Sequence, residues 1–197
     1  MLSLAVAGAG VIGRAHMAVI AGNPDCQLSA IADPTDAAKQ LAAEQGIAWY
    51  ATLDELLAAS RTDGVILATP NALHVPQALQ CIDAGVPVLV EKPIAHTVAD
   101  AQRLVDATEA QHAKVLIGHH RAHSPIMAQA KAVIDAGRLG RLVSVMGSAL
   151  FFKPDSYFAE APWRTHVGGG PVLINLIHEI HNLRMLCGDI VEVQAMS

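Results

Sequence analysis

Three glycines in the run Val6-Ala7-Gly8-Ala9-Gly10-Val11-Ile12-Gly13 fall at the spacing G-x-G-x-x-G, with apolar residues on both sides. Gly8 lets a strand turn sharply into a helix, Gly10 removes the Cβ that would block a pyrophosphate, and Gly13 lets helix and strand pack closely. A phosphate would then rest on the open N–H groups and positive end of that helix, whose first turn holds Val11 and Ile12. Asp33 ends the next apolar run, twenty residues beyond Gly13. A carboxylate there can accept hydrogen bonds from a ribose 2′-hydroxyl. An empty glycine turn, with Asp33 merely capping a helix, accounts less well for the two features together. Asp33 also repels a 2′-phosphate, and Pro34 and Thr35 offer no arginine to bind one, so NAD is favoured. Lys39 in the following helix keeps NADP open.

These residues need a framework, and the rest of the pattern supplies one. Strands are predicted at 2–7, 28–32, 47–50, 64–68, 86–90 and 114–117. Helices are predicted between them at 11–21, 35–45, 52–59, 71–84 and 97–110, the third opened by the capping-box pair Thr52 and Glu55. Strand alternating with helix means a doubly wound parallel sheet, a Rossmann-type α/β domain over residues 1–120, with its ligand crevice at the carboxyl ends of the strands. Three polar clusters fall at those ends: Thr69-Pro70-Asn71 with His74, Glu91-Lys92-Pro93, and His119-His120-Arg121. Each alone has an ordinary explanation as turn chemistry, a solvated charge pair or a surface patch. Together they converge on one place.

Past residue 120 the pattern changes. A helix at 124–136 leads to the β-branched and aromatic run 141–152, which suits a strand. An irregular segment with Pro154, Pro162 and Gly168-Gly169-Gly170 precedes an apolar helix at 172–186 and a strand-like run at 190–195. One or two strands do not make a stable sheet. Residues 121–197 therefore read as the start of an α+β domain with an open sheet, unfinished at Ser197.

Composition narrows the function. With 52% hydrophobic and 16% charged residues in 197, the chain can bury a sizeable core. A formal net charge of −5 gives no basic footprint for nucleic acid. Pro70, Asn71, His74, Pro76 and Gln77 interrupt the uncharged stretch 64–82, so no membrane span is expected. Cys26, Cys81 and Cys187 are odd in number and lack a CxxC pair, as expected of reduced thiols in a cytoplasmic protein.

On these residues the chain resembles the glucose–fructose oxidoreductase / inositol dehydrogenase family, often called Gfo/Idh/MocA. The matching residues are Gly8 to Gly13 with His16, Asp33, Thr69-Pro70-Asn71 with His74, Glu91-Lys92-Pro93, Trp163-Arg164, Gly168-Gly169-Gly170 and His178. The resemblance implies a Rossmann domain followed by a second domain whose open sheet forms dimer or tetramer contacts. It also implies oxidation of a secondary alcohol of a sugar, sugar acid or cyclic polyol. Cofactor binding then falls to Gly8, Gly10, Val11, Ile12, Gly13, Asp33, Thr69, Pro70, Asn71, His74, Glu91 and Lys92. Substrate binding falls to His120, Arg121, Trp163, Arg164, Asn175 and His178, and catalysis to Lys92 and His178.

The chemistry of the two catalytic candidates agrees with those roles. Hydride leaves a carbinol only as the hydroxyl proton leaves, so an acid/base group and a positive charge beside the oxygen both lower the barrier. Lys92 supplies charge and a movable proton, and His178 titrates near neutrality as a general base. One departure stands out: many relatives carry aspartates four residues before and three after the histidine, where this chain has Ile174 and His181. Asn175 offers an amide instead, which cannot stabilise an imidazolium as a carboxylate does. The same departure suits a second reading, a non-catalytic sensor that binds NAD(P). His178-Glu179-Ile180-His181 is not H-E-x-x-H, so no metal is expected. Lys92, Arg121, Arg164, His119 and His120 outnumber carboxylates, which points to a substrate bearing a carboxylate or several hydroxyls.

Overall fold

Short, mainly apolar runs become the strands of one sheet, whose central members are buried on both faces. In the computed structural model, which describes residues 1–59 and 61–196, these are β1 (Leu2–Ala7), β2 (Cys26–Ala32), β3 (Ala48–Tyr50), β4 (Gly64–Leu67), β5 (Val88–Glu91) and β6 (Val115–Gly118). They form a six-stranded sheet in the order β3-β2-β1-β4-β5-β6, with every pair parallel. The chain therefore reverses direction across the sheet between β1 and β4, and the crevice outside their carboxyl ends is the ligand site of such folds.

Alternation along the strands divides the core. Ala5, Ala7, Val65, Leu67, Val88 and Val90 face one layer, where Leu56, Val75, Ala78, Cys81 and Leu104 cover them. Val6, Ile31 and Ile66 face the other, against Met17, Ile20, Ala38 and Ala42. Burial pushes the Cys81 thiol up to about 12, so it behaves as a core residue rather than a nucleophile.

The covering helices are α1 (Val11–Ala21), α2 (Asp36–Gln45), α3 (Leu53–Ala59), α4 (His74–Asp83) and α5 (Val98–Ala110). Their ends follow local chemistry. Thr35 and Thr97 accept N–H bonds from Ala38 and Asp100 as N-caps, and Gly46 ends α2 at φ 66°. At α3, Glu55 N–H donates to Thr52 Oγ1 at 3.2 Å, while the Glu55 carboxylate accepts from the Ala51 N–H at 2.9 Å. The helix expected at 71–84 opens instead as a 3₁₀ turn, Asn71–Leu73, before α4 begins.

The described residues divide into two compact units, Met1–Gly118 and His119–Ser197. The second contains a 3₁₀ turn (His120–His123), α6 (Pro125–Asp135), α7 (Asp155–Ala159), a 3₁₀ turn (Pro162–Thr165), a π turn (Val172–Leu176) and α8 (Ile177–Cys187). Ser124 caps α6 through the Ile126 N–H. No strand forms among its described residues, so the runs 141–152 and 190–195 are unpaired where strands were expected. β-propensity is realised only against a neighbouring strand. Val143, Met146, Leu150 and Phe152 are accordingly exposed.

Candidate active site

The glycine loop joins β1 to α1. Gly8 sits at φ 91°, and a Cβ built there would meet the Ala68 carbonyl oxygen at 2.6 Å, so the end of β1 lies directly on the end of β4. A Cβ on Gly13 would lie 1.8 Å from the Gly8 carbonyl oxygen, which explains how tightly helix and loop close. Gly10 differs: nothing lies within 4 Å of its Cβ position. It is the N-cap of α1 with no side-chain cap, and the first turn carries no acid. Open N–H groups, an uncompensated positive helix end and space above Gly10 fit a pyrophosphate. Val11 and Ile12 are exposed in the same turn.

Asp33 stands at the rim of this cradle. Its Oδ2 accepts the Ala9 N–H at 2.8 Å, and its Oδ1 accepts the Thr35 N–H at 2.9 Å and the Thr35 hydroxyl at 2.6 Å. The carboxylate is thereby locked against the glycine loop, where ribose hydroxyls would meet it. Lys39, weighed as a 2′-phosphate ligand, lies with Nζ 5.0 Å from the Trp49 ring centroid. The Trp49 indole N–H in turn donates to the Asp33 carbonyl at 2.9 Å, a link that nothing in the spacing announced.

Past β4, the Thr69 hydroxyl donates to Gln77 Oε1 at 2.6 Å, Pro70 precedes the 3₁₀ turn, and Asn71 is buried at its start. His74 is 1% exposed. Its Nδ1 lies 2.7 Å from the Pro93 carbonyl oxygen and its Nε2 lies 2.9 Å from that of Thr69. The ring therefore staples the loop after β4 to the loop after β5, a supporting place rather than the ligand-facing one expected from sequence. A neutral ring donates to one carbonyl, a protonated ring to both. Burial nevertheless dominates and holds His74 below its ordinary 6.5, against the Pro93 and Thr69 bonds and the Glu91 charge, which raise it.

Glu91 ends β5 and is 8% exposed. Its Oε1 lies 2.8 Å from His16 Nε2 on α1, and its Oε2 accepts the Lys92 N–H at 3.1 Å. Burial pushes the Glu91 carboxyl up, but the His16 bond and charge, with the Lys92 amide and ammonium, outweigh it and hold it below 4.5. Lys92 itself follows at the carboxyl end of β5.

These two shifts set an acid dependence of stability. His74 stabilises the fold fully above about 6.5, where the unfolded ring is also neutral, and loses that contribution as pH falls and the unfolded ring protonates first. Glu91 acts in the same direction lower down: its contribution is whole above 4.5 and is lost as pH falls through its depressed folded value. Urea midpoints are therefore expected to fall on going from pH 7.5 to about 5. The His74→Gln variant is expected to start lower and to show a flatter slope over that range. Equal slopes for the two proteins would count against the assignment to His74.

In the second unit, His178 is buried on α8 and meets His120 edge-on at 5.0 Å between ring centroids. His119 stacks on His181 at 4.2 Å. Asn175 sits in the π turn that feeds α8. Arg121 is ion-paired with Glu179 on α8, which neutralises one of the cations counted from sequence. Arg164 donates to the Tyr157 carbonyl and lies 3.9 Å from the Tyr157 ring centroid, with Trp163 beside it. Lys153 approaches the same ring at 4.6 Å. Among the described residues no three His, Cys, Asp or Glu side chains converge as a metal site.

Comparison with known proteins gives a consistent result. A model of an oxidoreductase family with an NAD-binding Rossmann fold, Gfo/Idh/MocA, matches residues 2–119, and one of the family's C-terminal domain matches residues 127–197. The chain is 32% identical to the rhizopine catabolism protein MocA of Rhizobium meliloti, over 94% of this chain and 57% of that protein. It is 29% identical to an inositol 2-dehydrogenase of Rhizobium meliloti (strain 1021), over 92% of this chain and 54% of that one. The solved WlbA dehydrogenase from Bordetella pertussis, in complex with NADH and UDP-GlcNAcA, is similar at a TM-score of 0.90 and 28% identity, over 95% of this chain and 58% of that one. The chain thus spans a little over half the length of these relatives.

Proposed function

Because the chain belongs to the Gfo/Idh/MocA oxidoreductase family, we propose that it serves hydride transfer between NAD and a secondary alcohol of a sugar, sugar acid or cyclic polyol. The observation that carries this reading is the cradle: open space over Gly10 at the uncapped end of α1, with the Asp33 carboxylate fixed at its rim. NAD supplies the hydride acceptor when bound. The chain's own residues do the rest. Main-chain N–H groups of the first turn of α1 hold the pyrophosphate, and Asp33 receives the ribose hydroxyls and disfavours a 2′-phosphate. Lys92 stabilises charge on the substrate oxygen, and His178 takes the hydroxyl proton.

Relatives named for inositol, and one solved with UDP-GlcNAcA, support polyols and sugar acids as the substrate classes. With Arg121 paired to Glu179, recognition of an acidic substrate falls to Arg164, which forms no ion pair among the described residues. His120, Trp163 and Asn175 complete the substrate set in this reading. A cytoplasmic homo-oligomer, a dimer or tetramer formed through the second domain, is part of it. Three free thiols and the exposed apolar residues 143–152 support that part.

The test is a fluorescence titration with NADH and NADPH, followed by absorbance at about 340 nm across inositols, sugars and sugar acids. NADH is expected to bind at least about tenfold tighter than NADPH, and one polyol or sugar-acid class to be turned over. Binding without turnover across the panel would favour a cofactor sensor instead. Absence of affinity for either nucleotide would overturn both.

A further inference from the structure

Glu91 is enclosed from three sides, by its own neighbour Lys92 and by two parts of the chain remote in sequence. His16, in the second turn of α1, brings Nε2 to 2.8 Å from Glu91 Oε1 across 75 residues. The Lys92 N–H lies on the other carboxylate oxygen at 3.1 Å. Gly118, at the end of β6, leaves the space: a Cβ there would lie 2.9 Å from Oε1. A carboxylate so buried keeps its charge only through such donors. The groups facing it are His16 from α1, Lys92 beside it and His74 from α4.

We infer that His16 is a positioning residue, which acts through Glu91 to fix the Lys92 main chain and so ties the turn carrying that lysine to the helix that forms the phosphate cradle. The inference rests on the proposed role of Lys92 for its consequence in catalysis, but not for the linkage itself. α1 thus has two tasks. Its N-terminus holds the nucleotide, and one turn later its side chain sets the residue that faces the reacting group. Loss of the imidazole leaves Glu91 without its side-chain partner, so the carboxylate swings away and releases the Lys92 amide.

Residue-resolved hydrogen exchange tests this on the chain itself. In His16→Leu, which fills the space without a donor, the Lys92 amide is expected to exchange about tenfold faster while Val90 in β5 is unchanged. His16→Gln, which returns an N–H at the same reach, is expected to restore exchange to within about threefold. The Glu91 carboxyl, followed by carbon NMR, is expected to titrate higher in His16→Leu than in the parent. Where turnover is measurable, kcat falls about tenfold with the KM for NAD little changed. Should His16→Leu not fold, His16→Ala gives the same readouts. An unchanged Lys92 amide, or equal acceleration at Lys92 and Val90, overturns the inference. A parent chain that binds no nucleotide overturns the proposed function instead, and the amide result still decides this one.

Discussion

Replacing Lys92 by methionine is expected to lower hydride transfer by about a thousandfold while leaving NADH affinity nearly unchanged. Methionine matches the unbranched apolar stem, ending one atom short, and removes the charge and the proton. Hydride departure leaves negative charge on the carbinol oxygen, and an ammonium already in place stabilises it without reorganisation. A thousandfold loss corresponds to about 4 kcal/mol of transition-state stabilisation, the size seen when one such donor is removed. In the proposed reading most of the nucleotide affinity comes from the Gly8 to Gly13 loop and Asp33 rather than from Lys92. The measurement is single-turnover absorbance of the reduced nicotinamide beside a fluorescence titration of the same variant. Turnover within tenfold of the parent, or loss of binding equal to the loss of rate, would remove Lys92 from the role assigned to it.

The sequence carried the sheet legibly because a parallel strand buried on both faces must be apolar at every position. Gly64–Leu67 and residues 88–90 therefore announce themselves without alternation. The cradle was legible for a similar reason: only glycine tolerates what the Gly8 and Gly13 positions demand, so the constraint is written in the residue type. His74, Glu91 and Arg121 were harder. Their types suggested ligand contact, yet each side chain is engaged by a partner that only the tertiary fold supplies: two carbonyls, His16 and Glu179 respectively. No local spacing encodes a partner 75 residues away. The run 141–152 shows the converse case, with strand-forming side chains but no neighbouring strand among the described residues. Propensity names what a segment can do, and pairing decides what it does.

A pair of glycine substitutions separates the two jobs of the loop. At Gly13 a methyl would lie 1.8 Å from the Gly8 carbonyl oxygen and 2.9 Å from its carbonyl carbon, both main-chain atoms at a turn where φ is 91°. Neither can move without pulling Gly8 off the Ala68 carbonyl that it already crowds. Gly13→Ala is therefore expected to cost about 2–4 kcal/mol of stability and to weaken NADH binding by at least about a hundredfold. At Gly10 the methyl meets nothing within 4 Å, and φ is −71°, which any L residue adopts. Gly10→Ala is expected to change stability by no more than about 1 kcal/mol, the small cost of a poorer N-cap. Its methyl would nevertheless stand where a pyrophosphate must approach, so NADH affinity should fall at least about tenfold. Urea denaturation and NADH fluorescence on the two variants read the contrast directly. If Gly10→Ala binds NADH as the parent does, the space above that residue is not where the phosphates lie, and the cradle would have to be sought elsewhere along the strand ends.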